Sequence, residues 1–446
     1  MGSSLTSLGI LLISIALIVV LIMKVRMSAF LALILACMFL GFATGMPLGK
    51  ICSSIEAGMG GTLGFLGTIL GLGTILGKMM EISGGAERLA RTLIDALGRD
   101  KAHWAMMIVG FICGIPVFFQ VGFVLLIPLV FSVALTARMS LVKIGIPVVA
   151  GLITVHCIVP PHPAAMAIAG TLHADVGKVI LYGLICGFPA AAIAGPIYGS
   201  ILAKRMELKP PEGLFKYEET PDEKLPPFGS TLITILLPLI IMVGRTIIEL
   251  TLAKDSAVMP AVAFVGNPIT ALLISVFVSY WTLGLSRGLT KDDLLKFTEG
   301  SFGPVAGILL IIGAGGAFNK VLLDSGMGKN IEAVLTGLAL SPLVMAWIIA
   351  AVMRFSVGSA TVAMMTSAGI ILPVLGNYPG LDPALVCVAV GGGAIGFSHV
   401  NDSGFWIVKE FFGLSVTDMF KTWTASTTIA GFFSLIALLI LAKIVG

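Results

Sequence analysis

The stretch Phe397-Ser-His-Val-Asn-Asp-Ser-Gly-Phe-Trp406 brings four polar side chains, Ser398, His399, Asn401 and Asp402, directly after an apolar run from Ala384 to Ile395. An unpartnered polar group in hydrocarbon costs roughly 2–7 kcal/mol. A membrane chain accepts such groups where a helix breaks to line a cavity, which is where transporters bind their solutes. The competing reading is a polar loop just beyond the bilayer. Which one holds decides the fold, and the surrounding sequence favours the broken helix.

Of the 446 residues, 57% are hydrophobic and only 11% charged, with a mean hydropathy of +1.08. Soluble domains carry about 25% charged residues, so that class is excluded. Glycine (54) and proline (22) scattered through apolar sequence fit a polytopic helical membrane protein, whose neighbouring helices satisfy interrupted backbone. Residues 5–23 are too long an apolar run for a cleavable signal and are expected to be a first span. The net charge of +4 is dispersed, giving no nucleic-acid footprint. The six cysteines show no paired spacing, so neither a disulfide framework nor a metal site is expected. No cofactor motif is present.

Further spans are expected at 28–45, at the glycine-rich 60–77 and at 179–203, with polar loops at 46–59 and 78–103. Residues 104–137 are too long for one span and carry Gly114, Pro116, Gln120 and Gly122 in the middle. Lys101 lies before them, and Arg138 and Lys143 after them. Basic residues at both ends put both ends in the cytoplasm, which two tightly linked spans or a re-entrant hairpin would both satisfy; each half is short for a full crossing, so the hairpin is favoured. Next, residues 144–158 run into His156-Cys-Ile-Val-Pro-Pro-His-Pro163. Three prolines in four positions cannot continue a helix, and this is a second break bearing ionisable groups. Residues 204–229, mixed in charge and rich in proline, read as a cytoplasmic linker between a first membrane unit, 1–203, and a second, 230–446.

The two units align. At a shift of 242, Gly71 meets Gly313, Gly73 meets Gly315 and Lys78 meets Lys320; at 243, His156 meets His399 and Asp175 meets Asp418. The charge bias changes sides between them. Segment 78–103 holds five Lys/Arg against two in 319–342, whereas 46–59 holds one against three in 286–300. That is the signature of an inverted repeat. Residues 343–375, broken around Arg354–Thr361, then form a second hairpin, and Phe397–Trp406 is the counterpart of the first break. The expected fold is therefore all-α and polytopic, an inverted repeat with two re-entrant hairpins and two broken helices.

Arg354 is a cation among apolar neighbours, and its planar fork suits a carboxylate. A charge snorkelling at the extracellular edge is the alternative. Ser356, Ser359 and Thr361 with Gly358 offer hydroxyls and a bare helix start to an anion, although such hydroxyls often bond their own backbone. Gln120, His162, Ser398 and Asn401 are further candidates for binding a polar solute. His156, His399 and Asp402 are candidates for proton coupling, since histidine titrates near neutrality and membrane carboxylates serve in proton relays. Arg245 and Glu249 are expected to form a local pair, and Asn267-Pro268 a helix start. A passive channel would need a continuous polar pore, against which the repeat argues. An embedded enzyme would need a nucleophile or metal constellation, and no HExxH spacing occurs.

These residues, together with Gly60–Lys78, Pro160–Pro163, Gly358–Ala363 and Phe397–Trp406, resemble the gluconate permease family, the gluconate:H⁺ symporters, over essentially the whole chain. The resemblance implies proton-driven uptake of a sugar acid across the bacterial inner membrane, with a small carboxylate, protons and the bilayer as partners. The family includes a D-serine branch. The His399–Asp402 stretch resembles that of gluconate-type members and tilts the expectation towards an aldonate, while Ser403 stands where some of them have proline. The wider ion-transporter superfamily implies, by analogy, an elevator motion and a homodimer.

Overall fold

The computed structural model describes residues 2–115, 119–208, 220–252, 256–327, 340–399 and 402–445, and every regular element among them is helical. Among the described residues, five helices are long and apolar enough to cross a bilayer, or six if the bent pair Leu48–Gly64 and Gly67–Ile82 is one span. They differ sharply in surroundings. The segment Leu141–Thr171 has 94% of its most apolar window inside the protein, against 28% for Val416–Val445. The first is therefore an interior element and the last faces lipid along most of its surface.

The helices expected as hairpin arms are present, while the turn between the first pair, 116–118 with Pro116, lies outside the described residues. Ala102–Cys113 and Phe119–Thr136 are the arms of the first, and Pro342–Val357 and Ala360–Leu375 those of the second. Three of the arms have 12 to 16 residues. At 1.5 Å per residue they reach about 18–24 Å, short of a hydrocarbon core of about 30 Å. The second hairpin turns in two residues. Gly358 takes a left-handed φ of +78° to close the first arm, and Ser359 caps the next by accepting from Val362 N at 3.4 Å. A non-glycine residue at 358 would be strained there.

Both breaks are present as well. The first separates Leu141–Ile158 from Pro163–Thr171 and contains a cis Pro160–Pro161 bond. The second separates Pro383–Ile395 from Ser403–Phe412. Each broken helix lies against the first arm of its own hairpin by glycine contact. A Cβ on Gly151 would stand 2.6 Å from Met107 O, and one on Gly393 2.2 Å from Trp347 O. The two broken helices also touch each other, since a Cβ on Gly391 would come within 2.4 Å of Cys157 O. In both halves of the chain a pair of short helices is followed by a broken helix and then a long span.

Some expectations need correction. Segments 46–59 and 78–103 are not loops. One helix runs from Leu48 to Ile82, bent by 40° near Gly64–Gly67, and Gly85–Leu97 forms the next. Within 286–300, Lys291–Gly300 is a helix started by a Thr290/Asp293 capping box. In 78–103 the charges sit at helical spacing, as the Lys78–Glu81 and Glu87–Arg91 ion pairs demonstrate. Nor is the described end of the linker a free tether. Arg88 donates to the carbonyls of Asp222 and Pro226, and Thr220 Oγ1 donates to Glu87. Arg245 pairs with Glu249 at 2.8 Å and Asn267 caps the helix at Pro268, as expected.

Candidate functional site

The first hairpin, both breaks and the tip of the second hairpin meet at one cavity of about 290 Å³. Phe119 and Gln120 reach it from the first hairpin, and Val357 to Thr361 from the second. The first broken helix contributes Ile153 and His156, and the second break contributes Asp402. Ile22 of the first helix and Ile311 of the helix Gly303–Asp324 complete the wall. The start of the helix Ala360–Leu375 is on it. The first N–H groups of a helix lack intrahelical partners and carry the positive end of its dipole, so this wall favours an anion.

Arg354 supplies the fixed charge. It sits in the last turn of its arm with only 1% of its surface exposed, so the snorkelling alternative is excluded. Its Nη2 donates to Asp402 Oδ2 at 2.5 Å and its Nη1 to the carbonyl of Gly358. Its Nε, also buried, has no protein partner. Asp402 is buried too. Its Oδ2 also accepts from the Ser398 hydroxyl, and its Oδ1 from Gly404 N at 2.9 Å. The pair ties the second hairpin to the second break, and Arg354 keeps guanidinium N–H groups beyond these two bonds while lining the cavity.

Of the residues expected to form the site, Gln120, His156, Arg354, Ser359, Thr361 and Asp402 line this cavity. His162 lies behind it, its ring 3.8 Å from that of His156. Ser398 is fully buried beneath Asp402, where Trp423 Nε1 donates to its hydroxyl at 2.6 Å. His399 turns away to contact Phe355 O at 2.8 Å, and Ser356 is half-buried on the same arm as Arg354 but off the cavity wall. Asn401 lies outside the described residues. The apolar wall formed by Ile22, Phe119, Ile153 and Ile311 was not anticipated, and neither was Trp423. Nothing in their local sequence sets them apart from ordinary core residues. Among the described residues, no group of three His, Cys, Asp or Glu side chains could hold a metal.

The geometry defines a class, a multi-pass membrane transporter. Two solved structures share its fold at low identity: the YdaH transporter of Alcanivorax borkumensis, with a TM-score of 0.62, 15% identity and 89% coverage of each chain, and MtrF of Neisseria gonorrhoeae, at 0.62 and 14%, covering 90% of this chain and 86% of that one. The GntP family permease model matches residues 6–445, and the chain belongs to that family of secondary transporters. A gluconate permease of Pseudomonas aeruginosa is 45% identical over 96% of this chain and 95% of its own. The D-serine transporter DsdX of Escherichia coli K12 is also 45% identical, over the full length of both. Residence in the bacterial inner membrane fits these relatives.

Proposed function

We propose that the chain is a proton-coupled symporter that takes up a sugar acid, gluconate or a related aldonate, by alternating access. The observation that carries this reading is the buried Arg354, whose Nε lacks a partner on the wall of a cavity shared by the hairpin ends and helix breaks. A carboxylate at that wall meets a guanidinium fork and the first N–H groups of the helix Ala360–Leu375. Gln120, Ser359 and Thr361, with Asn401, serve the hydroxyls of the solute, because amides and hydroxyls both donate and accept. The volume, just under the range of about 300–1,000 Å³ for drug-sized ligands, suits a small metabolite rather than a peptide or an oligosaccharide. Asp402 carries the coupling proton, with His156 beside it.

In this reading the two units, 1–203 and 230–446, are inverted copies joined by the linker 204–229. The hairpins and broken helices move together against the remaining helices, in a homodimer. The relatives are named for gluconate and for D-serine at equal overall identity, and the His399–Asp402 stretch favours the aldonate. Uptake of labelled gluconate into proteoliposomes with an imposed pH gradient tests the reading. The expected result is accumulation that a protonophore collapses and excess unlabelled gluconate blocks. Accumulation of D-serine with no uptake of gluconate overturns the assigned substrate. Equilibration of gluconate without accumulation overturns symport in favour of a passive path.

A further inference from the structure

Arg354 and Asp402 form the one ion pair among the described residues in which both partners are buried; every other pair has a partner at least 15% exposed and a second still more exposed. A buried pair rarely stabilises more than well-packed apolar residues of the same volume, so stability alone does not explain its place on a cavity wall. Its geometry offers another use. Asp402 presents to Arg354 the same group a sugar acid carries. Of the five guanidinium N–H groups, one on Nη2 serves Asp402 and one on Nη1 serves Gly358 O, while the buried Nε has no protein partner.

We infer that the carboxylate of Asp402 and the carboxylate of the solute are alternative partners of Arg354, so that one monoanion enters with one proton and the buried charge of the site stays at zero in both the empty and the loaded carrier. The inference rests on the sugar-acid reading of the cavity. In the empty carrier the guanidinium and the Asp402 carboxylate cancel. When the solute carboxylate takes the guanidinium, Asp402 accepts a proton on its carboxylate and becomes a neutral acid. The two half-loaded states leave a net buried charge, which costs several kcal/mol. A solute without a proton leaves an excess anion; a proton without a solute leaves Arg354 unpaired. The same charge balance discriminates among solutes. A dicarboxylate leaves one negative charge uncompensated, and a neutral sugar has no carboxylate with which to displace Asp402 from Arg354.

Other groups around Asp402 bear on its proton. His156 lies on the same cavity wall with His162 stacked behind it, and Cys157 follows on the same helix within electrostatic range of the pair. Ser398, the Gly404 N–H and Trp423 are uncharged.

The test is equilibrium binding of labelled gluconate to the full-length protein in nanodiscs from pH 5 to 9, with proton uptake counted by calorimetry in buffers of different ionisation enthalpy. For the wild type, close to one proton is taken up per gluconate at alkaline pH, where Kd weakens about tenfold per pH unit, and glucarate competes at least tenfold more weakly than gluconate. Asp402→Asn, already neutral, binds gluconate with no proton uptake and no slope. Ser398→Ala removes one donor to the carboxylate, so it keeps the slope but begins to weaken at higher pH. Wild-type binding without proton uptake overturns the inference, and so does an undiminished proton count in Asp402→Asn, which places the proton on His156. No gluconate binding by the wild type at any pH removes the sugar-acid reading, and the inference with it.

Discussion

Trp423 donates its indole N–H to the Ser398 hydroxyl at 2.6 Å, and that hydroxyl in turn donates to Asp402. Thr424 Oγ1, one residue on, donates to Ser398 O at 2.6 Å. Both side chains leave a π-helical turn, Phe420–Thr424, that interrupts the last span, and such single turns are frequent at functional sites. The membrane-facing helix therefore reaches inward to fix the residue beneath the buried carboxylate. A Trp423→Phe change removes the donor while keeping most of the ring. Loss of a buried hydrogen bond costs about 0.5–1.5 kcal/mol, so KM for the solute is expected to rise up to about tenfold. Trp406, 41% exposed, is the control, and Trp406→Phe is expected to leave KM unchanged in the same vesicle uptake assay.

The ion pair makes a contrasting demand on stability. Arg354→Ala leaves Asp402 buried without its cation, a change that costs about 3–5 kcal/mol. The expected outcome is a marked fall in folded yield and in apparent melting temperature by size-exclusion profiling. Combining it with Asp402→Ala removes the stranded charge and is expected to restore much of the yield. It does not restore uptake. A double variant no more stable than the single one would mean that the pair does not share one buried charge balance.

An exposed pair should behave otherwise. Lys178 meets Asp382 at 3.0 Å with 35% of its side chain exposed. Solvent screening limits such pairs to about 0–1 kcal/mol, so Lys178→Ala is expected to shift the melting temperature little. Asp382 also caps the second broken helix, accepting from Ala384 N at 2.9 Å. Asp382→Ala is therefore expected to cost more, about 0.5–2 kcal/mol, and the order of the two melting temperatures checks it.

Helix crossing at Gly58 gives a fourth test. A Cβ there would stand 2.6 Å from Ala317 Cα, a backbone atom that cannot swing aside. Gly58→Ala is expected to force apart Leu48–Ile82 and Gly303–Asp324 at a cost of about 1–3 kcal/mol. Gly60, two residues on, has nothing within 4 Å of its would-be Cβ, and Gly60→Ala is expected to be neutral or slightly stabilising. Thermal unfolding of the two variants side by side separates them.

The hairpins and breaks were legible because proline, glycine and polar side chains stand out in apolar sequence. Arg354 stood out for the same reason. That it pairs with Asp402 was not legible, since the two lie 48 residues apart and no periodicity links them. The repeat aligned His156 with His399, yet only His156 lines the cavity. One ends a helix that runs inside the protein, whereas the other follows the helix end at Ile395 by four residues and finds Phe355 O instead. Equivalent positions in sequence thus acquire different neighbours. The helix Gly85–Leu97 was misread because charge content outweighed its spacing, although the Glu87–Arg91 interval was the available signal.

The most direct test of the site is a structure of the protein with gluconate bound in nanodiscs by electron cryo-microscopy. The expected density lies in the cavity shared by the hairpins and breaks, with its carboxylate within hydrogen-bond distance of the Arg354 guanidinium and Asp402 released from it. Solute density elsewhere, for example in the larger cavity of about 540 Å³ beside Gly61, Thr171 and Pro268, with the Arg354–Asp402 pair intact, is the contradicting result.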